Sequence, residues 1–205
     1  MYFLSLKTMT EPVKFIFLEL DGVLNTPVYL SNLAKRLSPE GLKRQPAQRL
    51  CPPLVRRLNY LVGKGKVVVT SRWWARYDVE QLNTHLKSHG FTGEVSALVN
   101  HKLEPAKATT IRRFLAEHPA TSWVALDSEE VFKFMPDYAP RLVKVNPALG
   151  LCSENLCQAI NLLDPSAKPV TKIKRPREPP PEHFKPVKAR SHKKGTAPVS
   201  KAKGK

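Results

Sequence analysis

Apolar residues fall in two periods along this chain. From Val13 to Leu18 (VKFIFL) they run almost unbroken and stop at Glu19, Asp21 and Gly22, the pattern of a short buried strand closed by a turn. Lys66–Thr70 (KVVVT) and Ser122–Asp127 (SWVALD) repeat it, Arg141–Asn146 (RLVKVN) reads as another strand, and GEVSALV holds a shorter one. Between them the spacing turns helical. Leu54, Val55, Leu58, Leu61 and Val62 form one stripe from Pro53 up to Gly63 and Gly65. Val79, Leu82 and Leu86 give a second helix ending at Gly90, and Ile111, Phe114 and Leu115 a third over Ala106–Glu117. Ser153–Leu163 closes the series, with Ser153 as its expected N-cap. Residues 26–50, with Pro27, Pro39, Gly41 and Pro46, read as loop with one short helix at most.

Strands alternating with helices predict an α/β, Rossmann-like three-layer sandwich with a mainly parallel sheet. Ligands of such sheets bind outside the carboxyl ends of the strands, where strand order reverses. The polar groups that end the strands here are Glu19 and Asp21, Thr70 and Ser71, and Asp127. They are expected to gather at one edge.

Charge changes the picture beyond the last helix. The 205 residues carry a formal net charge of +17. From Lys168 onward thirteen Lys/Arg stand against two acids, Glu178 and Glu182, and seven prolines interrupt the chain. Such a segment cannot bury enough apolar surface to offset its ordering entropy. The expected organisation is therefore a flexible extension over 1–12, one α/β domain over 13–164 and a disordered basic tail over 165–205. Lys/Arg at that density suits the phosphates of a nucleic acid, and KIKRPR (Lys172–Arg177) resembles a nuclear-targeting patch. Cys51, Cys152 and Cys157 form no even framework and no zinc spacing, which fits free thiols in a reducing compartment. No apolar run approaches the ~20 residues of a membrane span. A cytoplasmic protein is expected, with the nucleus as the alternative.

Two acids at i and i+2 on one strand end, with a third from another strand, can share a divalent ion that offsets their mutual repulsion. Mg²⁺ suits such oxygen donors. A Ser/Thr at a strand end can hydrogen-bond a phosphate oxygen, and a lysine can neutralise both the phosphate and an attacking carboxylate.

FLELDGVL, VVVTSRWW, a lysine before an amphipathic helix and VALDSEE are similar, in that order, to the four motifs of the haloacid dehalogenase (HAD) superfamily. The finer resemblance, over about Val13 to Leu163, is to small capless HAD domains of RNA-repair and phage proteins. It implies that Glu19 occupies the nucleophile position and that Asp21 is the general acid/base, with its carbonyl on the metal. It implies that Thr70 holds a phosphate oxygen, with Ser71 the alternative one residue on. Lys107 becomes the stabilising cation, with Lys102 its rival, and Asp127 a Mg²⁺ ligand beside Glu19 and Asp21. Two positions depart from the family pattern. Family members usually carry Asp where Glu19 stands and often a second acid where Ser128 stands. Glu is one methylene longer, and a misplacement of about 1 Å can cost ~100-fold in rate.

Only about 40 residues separate Thr26 from Lys66, too few for a substantial helical cap, so the site is expected to be open to large substrates. The resemblance implies a Mg²⁺-dependent phosphohydrolase acting on a phosphorylated substrate carried by a nucleic acid. The alternatives are a degenerate HAD-fold module that binds nucleic acid or a protein, and a basic protein whose function resides in its tail.

Overall fold

The computed structural model describes residues 13–38, 46–71, 77–99 and 107–173. The extension over 1–12, Lys102, the Trp73–Trp74 pair and the tail from 174 lie outside the described residues.

Five parallel strands form one sheet: β1 (Lys14–Leu18), β2 (Lys66–Val69), β3 (Val95–Leu98), β4 (Ser122–Asp127) and β5 (Leu142–Lys144). Their order is β3-β2-β1-β4-β5, and every pairing is parallel. The chain builds outward from β1 through β2 to β3, then crosses back to place β4 on the other side of β1. The switch point therefore lies between β1 and β4, the place where such sheets open a crevice for ligands.

Alternation along the strands divides the core into two layers. Ile16 and Leu18 of β1 join Val67, Val69, Val124 and Leu126 on one face. Phe15 and Phe17 join Val68 and Ala125 on the other. The first face is covered by α2 (Pro52–Arg57), α3 (Val79–Lys87) and α5 (Ser153–Leu163) through Leu54, Val55, Leu82, Leu86, Leu156 and Leu163. The second is covered by α4 (Lys107–Glu117) and by Phe132. Phe114 of α4 meets Phe15 and Phe17 edge to face, with ring centroids 5.2 and 5.6 Å away. Pairs of that geometry add about 0.5–1.5 kcal/mol to the burial itself. The expected three-layer α/β sandwich is thus present, with buried apolar residues on both faces of the sheet.

Local details differ from the pattern-based expectation. The stripe beginning at Pro53 is not one α-helix. It is α2 followed by a 3-10 turn over Leu58–Leu61, and Val62 points to solvent. Three residues per turn instead of 3.6 rotate the later positions out of register. The one short helix allowed for in residues 26–50 is present as α1 (Pro27–Arg36), started by the Thr26 hydroxyl, which accepts from the Tyr29 N–H at 3.1 Å, and by proline in its first turn. Cys152, not Ser153, caps α5, because the Asn155 side chain reaches back to the Cys152 N–H at 3.1 Å.

The packed chain also continues past Asp164, where the basic tail was expected to begin. Asn161 clamps Val170 with two hydrogen bonds of 2.8 and 3.1 Å, and Ile173 packs against the core. Among the described residues no helix is long and apolar enough to cross a membrane.

Candidate active site

The residues after β1 sort themselves by polarity. Leu20, Val23 and Leu24 are fully buried, and the Val23 and Leu24 N–H groups donate to the Leu20 carbonyl at 3.3 and 2.8 Å. These three leucine and valine side chains anchor one turn of chain in the core. Glu19, Asp21 and Asn25 are left to line a cavity of about 410 Å³ with Ser71, Lys107 and Glu129. Gly22 is fixed by two constraints. Its φ is +78°, and a Cβ there would lie 2.7 Å from the Ser128 hydroxyl.

Lys107 is the centre of the charge arrangement. It opens the described part of α4 and is 7% exposed. Its Nζ donates to Glu19 Oε2 at 2.6 Å and to Asp127 Oδ2 at 2.7 Å, joining the ends of the two strands at the switch point. Glu129 stands 4.0 Å away and is mostly exposed. Burial pulls the Lys107 ammonium down, but Glu19 and Asp127 outweigh it and hold its pKa above the ordinary lysine value. Burial pushes the Asp127 carboxyl up, and its bonds to Lys107 and to the Glu129 N–H do not fully offset that.

The other oxygens are also held. Glu19 Oε1 accepts from the N–H groups of Leu20 at 2.8 Å and Asp21 at 3.1 Å, so the longer side chain folds back over its own backbone. Asp127 Oδ1 accepts from the Glu129 N–H at 2.9 Å. Asn25, buried and not singled out by its sequence position, donates through Nδ2 to Asp21 Oδ1 and accepts from the Gly22 N–H, both at 2.9 Å. It fixes the Asp21 carboxylate and the glycine turn together.

Thr70 and Ser71 settle the register after β2. Thr70 is buried, and its N–H continues the strand pairing to the Leu18 carbonyl at 2.9 Å. Ser71, named beside Thr70 as the alternative, is the one of the two that lines the cavity. Its hydroxyl is buried and has no hydrogen-bond partner among the described residues. A buried hydroxyl left so costs about 1–3 kcal/mol, and a phosphate oxygen in the cavity would satisfy it.

At the Ser128 departure, the Ser128 hydroxyl lies 3.4 Å from the Asp21 carbonyl. Of the two neighbouring acids, Glu129 lines the cavity, whereas Glu130 turns away to pair with Lys144. Burial pushes the Cys51 and Cys152 thiols up, so neither is a poised nucleophile.

The donor set suits a hard dication. Glu19, Asp21 and Asp127 bring three carboxyl groups to a site where Lys107 supplies one positive charge. Among the described residues no three Asp, Glu, His or Cys side chains converge as a ready-made cage. Mg²⁺ does not need one, because it commonly keeps several waters and takes one or two carboxylates.

A parallel sheet whose first strand delivers an acid pair, and whose fourth delivers a further acid to the same lysine, defines a capless domain of the haloacid dehalogenase class. The chain matches the HAD domain in Swiss Army Knife RNA repair proteins over residues 15–156 and belongs to that family. The match supports a HAD-type hydrolase module in general terms. No curated protein and no solved structure matches the chain.

Proposed function

We propose that the domain is a phosphohydrolase that removes a phosphomonoester from a nucleic-acid strand. The observation that carries this reading is the Ser71 hydroxyl, without a hydrogen-bond partner among the described residues and buried at the wall of a cavity that also presents Glu19, Asp21 and Lys107. The HAD domain of RNA repair proteins, as a family, favours a nucleic-acid-borne phosphate.

In this reading the phosphate enters with one oxygen accepting from Ser71 and another close to Lys107. Glu19 attacks phosphorus through a carboxylate oxygen. The ester P–O bond breaks, and Asp21 gives its proton to the departing oxygen. Water then attacks phosphorus and gives a proton to Asp21, the bond between phosphorus and the Glu19 oxygen breaks, and inorganic phosphate leaves with the Glu19 carboxylate restored. Asn25 keeps Asp21 aimed through both half-reactions. The Glu19 and Asp127 carboxylates and the Asp21 carbonyl would hold Mg²⁺, which would supply positive charge to offset that of the phosphate. The basic residues from Lys168 onward add affinity for the phosphate backbone.

Phosphate release from p-nitrophenyl phosphate and from 3′- and 5′-phosphorylated RNA, measured with Mg²⁺, tests the reading. Ser71→Ala is expected to weaken substrate use and Asp21→Asn to abolish it. Activity that survives Asp21→Asn counts against the site.

One observation favours a second reading, a module that binds phosphorylated ends without turnover. Glu19 Oε1 is tied to two backbone N–H groups and Oε2 to Lys107, so both oxygens are engaged before any phosphate arrives. Binding of phosphorylated RNA with no phosphate release would select it.

A further inference from the structure

The sheet has a second cavity at its opposite edge, where the strands begin. Lys14 starts β1 and Lys66 starts β2, and both line it, with Lys64, Gly65, Asp164 and Lys168. Its volume is about 660 Å³, larger than the candidate active site. Five residues of β1 separate the two edges, roughly 15 Å at the rise of a strand. No residue lines both cavities.

We infer that this cavity is a binding groove for the phosphodiester backbone of a nucleic-acid strand. Charge gives the first argument. Four lysines face one acid, Asp164, which lies 3.8 Å from Lys14. Lys64, Lys66 and Lys168 are exposed, and among the described residues none of them is paired with a carboxylate. Three unpaired ammonium groups in one groove exceed what a single phosphate neutralises, but they match successive phosphates of a backbone.

Construction gives the second. The groove is built from three separate segments held in place by the fold. A Cβ on Gly65 would lie 3.0 Å from the Lys14 carbonyl, so this glycine lets the lead into β2 press against β1. Opposite, the Asn161 side chain holds Val170 through both its N–H and its carbonyl, which fixes the wall that carries Lys168. The sequence led to contacts with nucleic acid at the active site and through the basic tail, and this groove adds a third surface, on the folded domain.

The groove does not depend on catalysis, so its test omits the phosphomonoester. The full chain is titrated with a labelled single-stranded RNA of about 20 nucleotides with unphosphorylated ends, over a range of salt. Lys64→Ala/Lys66→Ala/Lys168→Ala is compared with Lys35→Ala/Lys87→Ala/Lys133→Ala, which removes equal charge from exposed positions elsewhere. Each single-strand phosphate contact contributes about 0.7 to the slope of log affinity against log salt. The groove variant is expected to lower that slope by about 2, while the control keeps the wild-type slope. An unchanged slope in the groove variant, or an equal fall in the control, overturns the inference. Displacement of the RNA by millimolar inorganic phosphate at constant ionic strength would indicate a single-anion site and overturn it as well.

Discussion

Lys107 donates to Glu19 at 2.6 Å although 88 positions separate the two in sequence. The same ammonium holds Asp127 at 2.7 Å, so one buried cation ties α4 to the ends of both central strands. Neutralising it strands two buried carboxylates. Lys107→Met is therefore expected to destabilise the domain by about 3–5 kcal/mol, read from urea unfolding at neutral pH.

The same pair sets a pH dependence at the alkaline end. The folded pKa of Lys107 is raised above its ordinary value of 10.5. Its contribution is therefore complete below that ordinary value and is lost as pH rises through the higher folded value. The stability gap between wild type and Lys107→Met is expected to be constant from pH 7 to 9 and to narrow above 10.5. Parallel unfolding curves across that range check the sign.

Ser71→Ala separates stability from ligand binding. Its hydroxyl has no described partner, so removing it relieves an unmet polar group and is expected to leave stability unchanged or raise it by up to about 1 kcal/mol. Phosphate affinity is expected to fall tenfold or more, the usual loss for one hydrogen bond to a charged group. Calorimetric binding of phosphate, paired with thermal unfolding, reads both changes.

Asn25→Ala acts on two groups at once. It frees the Asp21 carboxylate and leaves the Gly22 N–H without its acceptor. A cost of about 1–3 kcal/mol is expected, together with a loss of kcat larger than any change in KM, because Asp21 is no longer aimed.

Gly22→Ala meets a steric and a conformational obstacle. The steric part is the Ser128 hydroxyl at 2.7 Å, and the conformational part is the φ of +78°. Combining it with Ser128→Gly is expected to relieve the clash with Ser128 and leave a 3.2 Å approach to the Pro147 Cβ together with the ~1–2 kcal/mol of a left-handed alanine. A double-mutant cycle on stability measures the split.

The strands and the switch-point acids were legible in the sequence, because an apolar run ended by Glu19 or Asp127 marks both a buried strand and its carboxyl end. Choosing between Thr70 and Ser71 was not. Successive strand residues face opposite sides, and a shift of one changes which hydroxyl meets the cavity. Asn25 was hidden because its role depends on a turn whose closure is set by Leu20, Val23 and Leu24. The drift of Val62 to the surface followed from a 3-10 turn that apolar spacing does not announce. The basic groove was hidden for another reason. Lys14, Lys64, Lys66 and Lys168 come from three distant segments, and only the parallel pairing of β1 with β2 and the Asn161 clamp bring them together.

The central claim is that Glu19 and Asp21 turn over a phosphomonoester on RNA. Single-turnover release of inorganic phosphate from 3′- and 5′-phosphorylated RNA, with Mg²⁺, measures it directly in wild type, Glu19→Gln and Asp21→Asn. The account predicts release by the wild type from at least one of the two ends and none by either variant. Release that persists in Glu19→Gln, or a wild type that binds both RNAs and releases nothing, would contradict it.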